Sequence, residues 1–110
     1  MGAPTTPEPG GGQRGTILVE EAEVLAHDAY AGEQFVLRVA APGTAAAARP
    51  GTFAHLTVGP RLPMRRPLSI MRVDAAAGWV EFLYKVVGAG TAELARRRPG
   101  ERVSLMGPIG

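Results

Sequence analysis

Trp79-Val80-Glu81-Phe82-Leu83-Tyr84-Lys85-Val86-Val87 is the stretch on which the fold turns. Val80, Phe82, Tyr84 and Val86 recur at every second position, so an extended backbone puts all four on one face. Leu83 and Lys85 then face the other way. Aromatic and β-branched residues suit a pleated, half-buried surface, and the run is the longest strand the sequence predicts. Core packing is the default role for Tyr84 in such a stripe. Gly88-Ala89-Gly90-Thr91 follows and opens the one helix predicted, Thr91–Arg98. Gly90 or Thr91 can cap it, Glu93 lies in its first turn, Arg96 to Arg98 in its last, and Pro99-Gly100 stop it.

Outward from that strand the same period recurs. Thr16–Leu25 reads as a first strand, with Ile17 and Val19 on one face and Leu18 and Val24 on the other. His27–Gly32 reads as a turn. In Glu33–Ala41, Phe35, Leu37 and Val39 alternate with Gln34 and Arg38. Ala45–Ala48 is too short to stand alone as a helix. Thr52–Val58 is the third strand and Gly59–Pro63 a loop. Arg65-Arg66 end the turn before a fourth strand, Pro67–Val73, which carries one buried hydroxyl, Ser69. Asp74–Gly78 is a turn, and Glu101–Met106 a last strand ended by Gly107-Pro108. Six short strands and one short helix, without repeated crossover helices, predict an all-β antiparallel sandwich or barrel. Closure into a barrel hides the strand edges.

Composition narrows the chemistry. The chain has 110 residues, enough for one domain and one core. It has no cysteine, which excludes thiol catalysis and iron–sulfur ligation by these residues. His27 and His55 are the only histidines and nothing near them completes a zinc set. No apolar run is long enough to span a bilayer, so no membrane association is expected. Residues 1–14 are rich in Pro, Gly and Thr and lack the apolar segment of a signal peptide; they read as a disordered leader of a cytoplasmic protein. Charge is uneven. The acids Glu8, Glu20, Glu21, Glu23, Asp28 and Glu33 crowd the first third, whereas all the basic residues except Arg14 lie from Arg38 onward. A nucleic-acid partner is not expected, because Trp79, Phe82 and Tyr84 share one strand without basic–aromatic interleaving.

Two elements suit an anion. Arg66 carries a permanent, forked cation beside the stiff Pro67. Gly88-Ala89-Gly90-Thr91 lets a phosphate approach free amides, although its spacing is not a dinucleotide fingerprint. Taken singly, a solvated loop arginine and an ordinary strand–helix loop are at least as common. The hydroxyl of Ser69 bonds locally or meets a polar ring atom. It is no nucleophile, since no nucleophile elbow surrounds it. Lys85 adds charge near a phosphate or faces water. Arg96-Arg97-Arg98 fit the helix C-terminus and a solvated face. The anion reading requires Arg66 and the amide of Thr91 to be neighbours in space.

Four ordered elements carry a family resemblance: Arg66-Pro67-Leu68-Ser69, Leu83-Tyr84-Lys85, Gly90-Thr91 and Met106-Gly107-Pro108-Ile109-Gly110. With Pro50-Gly51-Thr52-Phe53 they resemble the ferredoxin-reductase-type FAD-binding domain over residues 15–110. Within that family the Arg-Pro-Leu-Ser-Ile run is most similar to the electron-transfer subunits of NAD-linked dihydroorotate dehydrogenase, where other reductases carry an aromatic at the Leu68 position. The resemblance implies a six-stranded antiparallel Greek-key barrel that binds FAD. It implies Arg66, Gly90 and Thr91 at the pyrophosphate, Pro67, Leu68 and Ser69 along the isoalloxazine, and Leu83, Tyr84 and Lys85 along the ribityl and adenosine portion. It also implies a partner, the dihydroorotate dehydrogenase catalytic subunit, and a role in pyrimidine biosynthesis. Full-length members continue past the Gly-Pro-Ile-Gly motif into a nucleotide-binding domain and a 2Fe–2S cluster. NAD and the cluster are therefore expected in a C-terminal part that this sequence lacks. The alternatives are another electron-transfer subunit of the same superfamily, or a non-enzymatic basic β-barrel binding module.

Overall fold

A computed structural model describes residues 17–110; the leader expected over 1–14 lies outside them. The elements in chain order are β1 (Leu18–Tyr30), β2 (Gln34–Ala40), α1 (Pro42–Ala47), β3 (Phe53–Gly59), β4 (Leu62–Asp74), β5 (Trp79–Lys85), α2 (Ala89–Leu94) and β6 (Arg102–Ile109). The strands pair antiparallel and close in the order β1-β2-β5-β4-β3-β6. β3, β4 and β5 form a meander and β2 returns beside β5, which is the Greek-key arrangement. Closure leaves no edge strand for another chain to extend.

The period-two pattern fills the barrel. Val80, Phe82 and Tyr84 of β5 are buried with Leu37 and Val39 of β2, Leu56 of β3 and Leu105 of β6. Leu37 stands opposite Phe82 and Val39 opposite Val80, so large apolar side chains share layers. Leu94 of α2 is fully buried, and α2 packs over the ends of β3 and β4. That approach needs Gly59: a Cβ there would lie 3.0 Å from a Glu93 carboxylate oxygen and 3.2 Å from the Arg97 guanidinium carbon.

Several boundaries differ from the sequence reading. There are two short helices where one was expected, because α1 receives its cap from another strand. The Glu20 carboxylate on β1 accepts the Gly43 amide at 3.2 Å, the Thr44 amide at 2.6 Å and the Thr44 hydroxyl at 2.5 Å. Thr44 and Ala45 are buried. Local propensity contains no such long-range cap. The turn expected at His27–Gly32 is mostly strand: β1 continues to Tyr30, paired with Gln34, and only residues 31–33 turn. Gly32 and Glu33 both have positive φ, +76° and +59°, the conformation a tight hairpin demands. The Gly59–Pro63 loop contracts because Gly59 pairs with Leu62; Arg65 and Arg66 therefore lie inside β4. β5 stops at Lys85, before Val86 and Val87, while β6 runs past Gly107-Pro108 to Ile109. α2 ends at Leu94 with Gly88 as its N-cap, so Arg96 to Arg98 follow the helix and Glu93 is outside its first turn.

One buried charge went unforeseen. Glu81 is 4% exposed although its neighbours Val80 and Phe82 point inward. Arg38 Nη2 and Arg72 Nε both lie 2.7 Å from its carboxylate, and the Arg38 guanidinium sits 3.9 Å above the Trp79 ring. Burial works to raise the Glu81 pKa. The hydrogen bonds from Arg72 and Arg38 outweigh it together and hold the group below its ordinary value.

Candidate functional site

Arg66 shares the inward parity of Leu68 and Ile70, both buried, but lies at the end of the barrel over which α2 packs. Its side chain meets α2 at Gly90. A Cβ on Gly90 would lie 2.9 Å from Arg66 Cδ, 3.1 Å from its Cγ and 3.4 Å from Met64 Sδ. Only a bare glycine lets the arginine stem lie that close. Met64, Arg66 and the run Val87–Thr91 line a cleft of about 250 Å³ between them.

The turn on the far wall is internally braced. The Thr91 hydroxyl accepts the Val87 amide at 2.8 Å and donates to the Gly88 carbonyl at 3.3 Å. This hydroxyl is therefore used by the fold, and what Thr91 offers a ligand is its backbone. Among the described residues, no protein acceptor meets the amides of Ala89, Gly90 and Thr91, and no carboxylate pairs with Arg66. An arginine without a carboxylate partner, in one cleft with a turn of small residues whose amides are unmet, is an arrangement that can receive an anion. A site for a whole drug-sized ligand usually needs about 300–1,000 Å³. The cleft is smaller than that, with room for a small anionic group.

A second surface adjoins the cleft on the outside of the same strands. Phe53 stands directly opposite Ser69, and Ser69 and Leu83 flank the Ile70–Phe82 pair. Phe53 is 43% exposed and Leu83 45% exposed. Pro67 and Ser69 are also exposed. The result is a flat apolar strip with one hydroxyl, a suitable rest for a planar ring. Ser69 is thus not the buried hydroxyl that its apolar neighbours suggested, because its parity turns it outward.

The structure divides the nine residues singled out by sequence. Arg66, Gly90 and Thr91 share the cleft. Pro67, Ser69 and Leu83 lie on the adjoining strip. The Leu68 side chain is 6% exposed and points into the core, so only its backbone faces the strip. Tyr84 is also core, its ring stacked on Phe35 at 5.5 Å. Lys85 is exposed and paired with Gln34 at the end of β5.

Sequence reasoning missed four participants. Met64 and Val87 line the cleft and are 40% and 75% exposed. Met64 shares the parity of Arg66, a signal hidden by starting β4 too late. His27 opens a stretch whose composition suggests a turn, yet its Nδ1 donates to the Arg97 carbonyl at 2.8 Å and its Nε2 accepts the Tyr84 hydroxyl at 2.7 Å. Burial is the main cause that holds His27 below the ordinary imidazole value, and burial likewise pushes the Tyr84 phenol upward. Arg97 does not lie on a solvated face. Its side chain is 11% exposed, with Glu93 at 3.0 Å and Glu101 at 3.6 Å, whereas Arg96 is 73% exposed.

No family model matches the chain. It is 39% identical over 94 residues to the electron transfer subunit of dihydroorotate dehydrogenase B (NAD(+)) of Desulforamulus reducens, covering 84% of this chain and 36% of the relative. The subunit of the same name from Enterococcus faecalis is 42% identical over 64 residues, covering 56% of this chain and 24% of the relative. The chain therefore spans about a third or less of these relatives' length. Among solved structures, an NADH-dependent reduced ferredoxin–NADP oxidoreductase superposes with a TM-score of 0.75 at 26% identity, over 83% of this chain and 33% of that one. The ferredoxin reductase of carbazole 1,9a-dioxygenase gives 0.71 at 29% identity, over 86% and 30%. In sequence the chain is thus similar to a part of the electron transfer subunits of dihydroorotate dehydrogenase B, and in architecture to the barrel domain of the ferredoxin reductases.

Proposed function

We propose that this barrel binds FAD and serves as the flavin-holding part of a cytoplasmic dihydroorotate dehydrogenase electron-transfer subunit. In that role it relays electrons from a dihydroorotate-oxidising partner subunit towards NAD, within pyrimidine biosynthesis. The observation that carries the reading is Arg66, without a carboxylate partner among the described residues, lying with its stem against Gly90 in the cleft that the turn from Val87 to Thr91 also lines. When bound, FAD supplies the electron chemistry, and the protein supplies position and electrostatics. Arg66 and the turn amides hold the diphosphate. The Pro67–Ser69 backbone, the Ser69 hydroxyl and the Phe53 and Leu83 side chains support the ring system. Lys85, exposed two residues beyond Leu83 on β5, adds charge along the ribityl and adenosine portion, while Tyr84 acts from inside the barrel.

A yellow sample, or one that takes up flavin on reconstitution, is the expected outcome. Arg66→Ala should weaken FAD binding about ten- to a hundredfold, the range of a charge-assisted hydrogen bond. Arg96→Ala, at an exposed position clear of the cleft, should leave it unchanged. Equal retention in both variants refutes the reading, and a colourless protein that binds RNA with steep salt dependence would replace it with a basic binding module. The two solved reductases favour one rival, an electron-transfer subunit of another reductase. Co-purification with a dihydroorotate dehydrogenase catalytic subunit separates that rival from the main reading.

A further inference from the structure

The segment from Lys85 to Arg96 contains the whole β5–α2 turn and all of α2, and thus one wall of the cleft. Residues at its two flanks, Tyr84 and Arg97, are held by a single side chain from β1. His27 Nδ1 lies 2.8 Å from the Arg97 carbonyl oxygen and Nε2 lies 2.7 Å from the Tyr84 hydroxyl. A carbonyl only accepts, so Nδ1 carries the proton, and Nε2 receives the hydrogen of Tyr84. Phe35 of β2 packs 5.3 Å from the His27 ring and 5.5 Å from the Tyr84 ring. The network is thus shielded from water on the β2 side.

We infer that His27 is a positioning residue: in its neutral Nδ1–H form it latches both flanks of the turn-and-α2 segment to β1, and so sets the distance between that wall of the cleft and Arg66. This rests on the FAD reading above for its consequence, though not for its geometry. Protonation leaves the bond to the Arg97 carbonyl intact and abolishes the acceptor at Nε2. The bond to Tyr84 then reverses: Nε2–H donates to the phenol oxygen, and the Tyr84 hydrogen loses its acceptor and must turn away beside a half-buried cation. The charged groups around His27 are few. Asp28 beside it on β1 favours the cation, the Arg97 guanidinium disfavours it, and Tyr84 of β5 stays neutral. Burial is the largest influence and favours the neutral ring, so the latch is fully satisfied at neutral pH and is loosened, by the stranded phenol hydrogen and the half-buried cation, on acidification below the ordinary imidazole range.

The test follows FAD affinity of the 110-residue chain by flavin fluorescence from about pH 8 to about pH 5, alongside the ¹⁵N shifts of the imidazole. Affinity should fall about tenfold, equivalent to one net hydrogen bond, with the midpoint of the His27 titration. His27→Gln can still donate to Arg97 and accept from Tyr84. It should keep the high-pH affinity and lose the pH dependence. His27→Phe should bind about tenfold more weakly at every pH. His55→Gln should behave as the parent. The inference is overturned if the acid response persists in His27→Gln, if His27 protonates without changing affinity, or if the neutral ring carries its proton on Nε2. Should the chain bind no FAD at any pH, the cofactor reading fails separately. The latch is then judged on the amide resonances of Gly88 to Thr91, which must follow the His27 midpoint in the parent and stay still in His27→Gln; failure to do so rejects it.

Discussion

Gly90→Ala separates binding from folding at this site. Gly90 is buried in α2 and is not among the glycines with positive φ, so alanine meets no backbone strain there. Replacing a helical glycine by alanine gains about 0.5–1 kcal/mol in propensity. The new methyl would stand 2.9 Å from Arg66 Cδ and 3.1 Å from Cγ. Carbon atoms rest at roughly 3.5–4.0 Å, so the arginine stem must retreat by about 1 Å. Cγ is close to the backbone, and the retreat therefore swings the guanidinium away from the turn amides instead of only bending its tip. A charge-assisted hydrogen bond contributes about 1.5–3 kcal/mol. Losing around half of that weakens FAD about three- to tenfold, less than full truncation at Arg66. The assay pairs a thermal melt with a flavin fluorescence titration. The expected pattern is a Tm held within about 4 °C of the parent, since strain and propensity offset, with clearly weaker flavin binding. Parent-like affinity in a folded Gly90→Ala variant would refute the claim that the Arg66–Gly90 contact sets the cleft.

Three further outcomes follow from the fold. Glu81→Gln should cost about 1–2 kcal/mol in denaturant melts, because the Arg38 and Arg72 bonds weaken while both arginines keep access to water. The Glu81 pKa is depressed on folding, so its share of stability is present above the ordinary carboxylate range and drains away as pH falls through the folded value; the parent should lose stability on acidification and Glu81→Gln should lose less. Glu20→Ala removes the acceptor of two amides and the Thr44 hydroxyl and should cost about 1–2 kcal/mol, with faster hydrogen exchange confined at first to α1. Glu33→Gly should raise stability by about 0.5–1 kcal/mol, since its φ of +59° strains any residue with a Cβ; an unchanged or lower melting temperature would contradict the strained hairpin.

The strands were legible in the sequence because their signal is local, although the pattern alone left sandwich and barrel open. A side-chain period of two needs nothing beyond the strand itself, so Val80-Phe82-Tyr84 and Phe35-Leu37-Val39 declare their inner faces at once. The ordered motifs from Arg66 to Gly110 likewise identified the family. Tertiary structure decided what depends on partners remote in sequence. Glu20 caps a helix that propensity would not sustain, Glu81 is held by two arginines on neighbouring strands, and His27 joins Tyr84 to Arg97 across the chain. It also decided which members of the Arg66–Ser69 run point outward, since parity depends on where β4 begins and β4 begins at Leu62 by pairing with Gly59. Sequence alone can name an arginine and a glycine-rich turn. Only closure of the barrel brings Arg66 on β4 against Gly90 on α2, because that contact is made by packing between elements that no local pattern links.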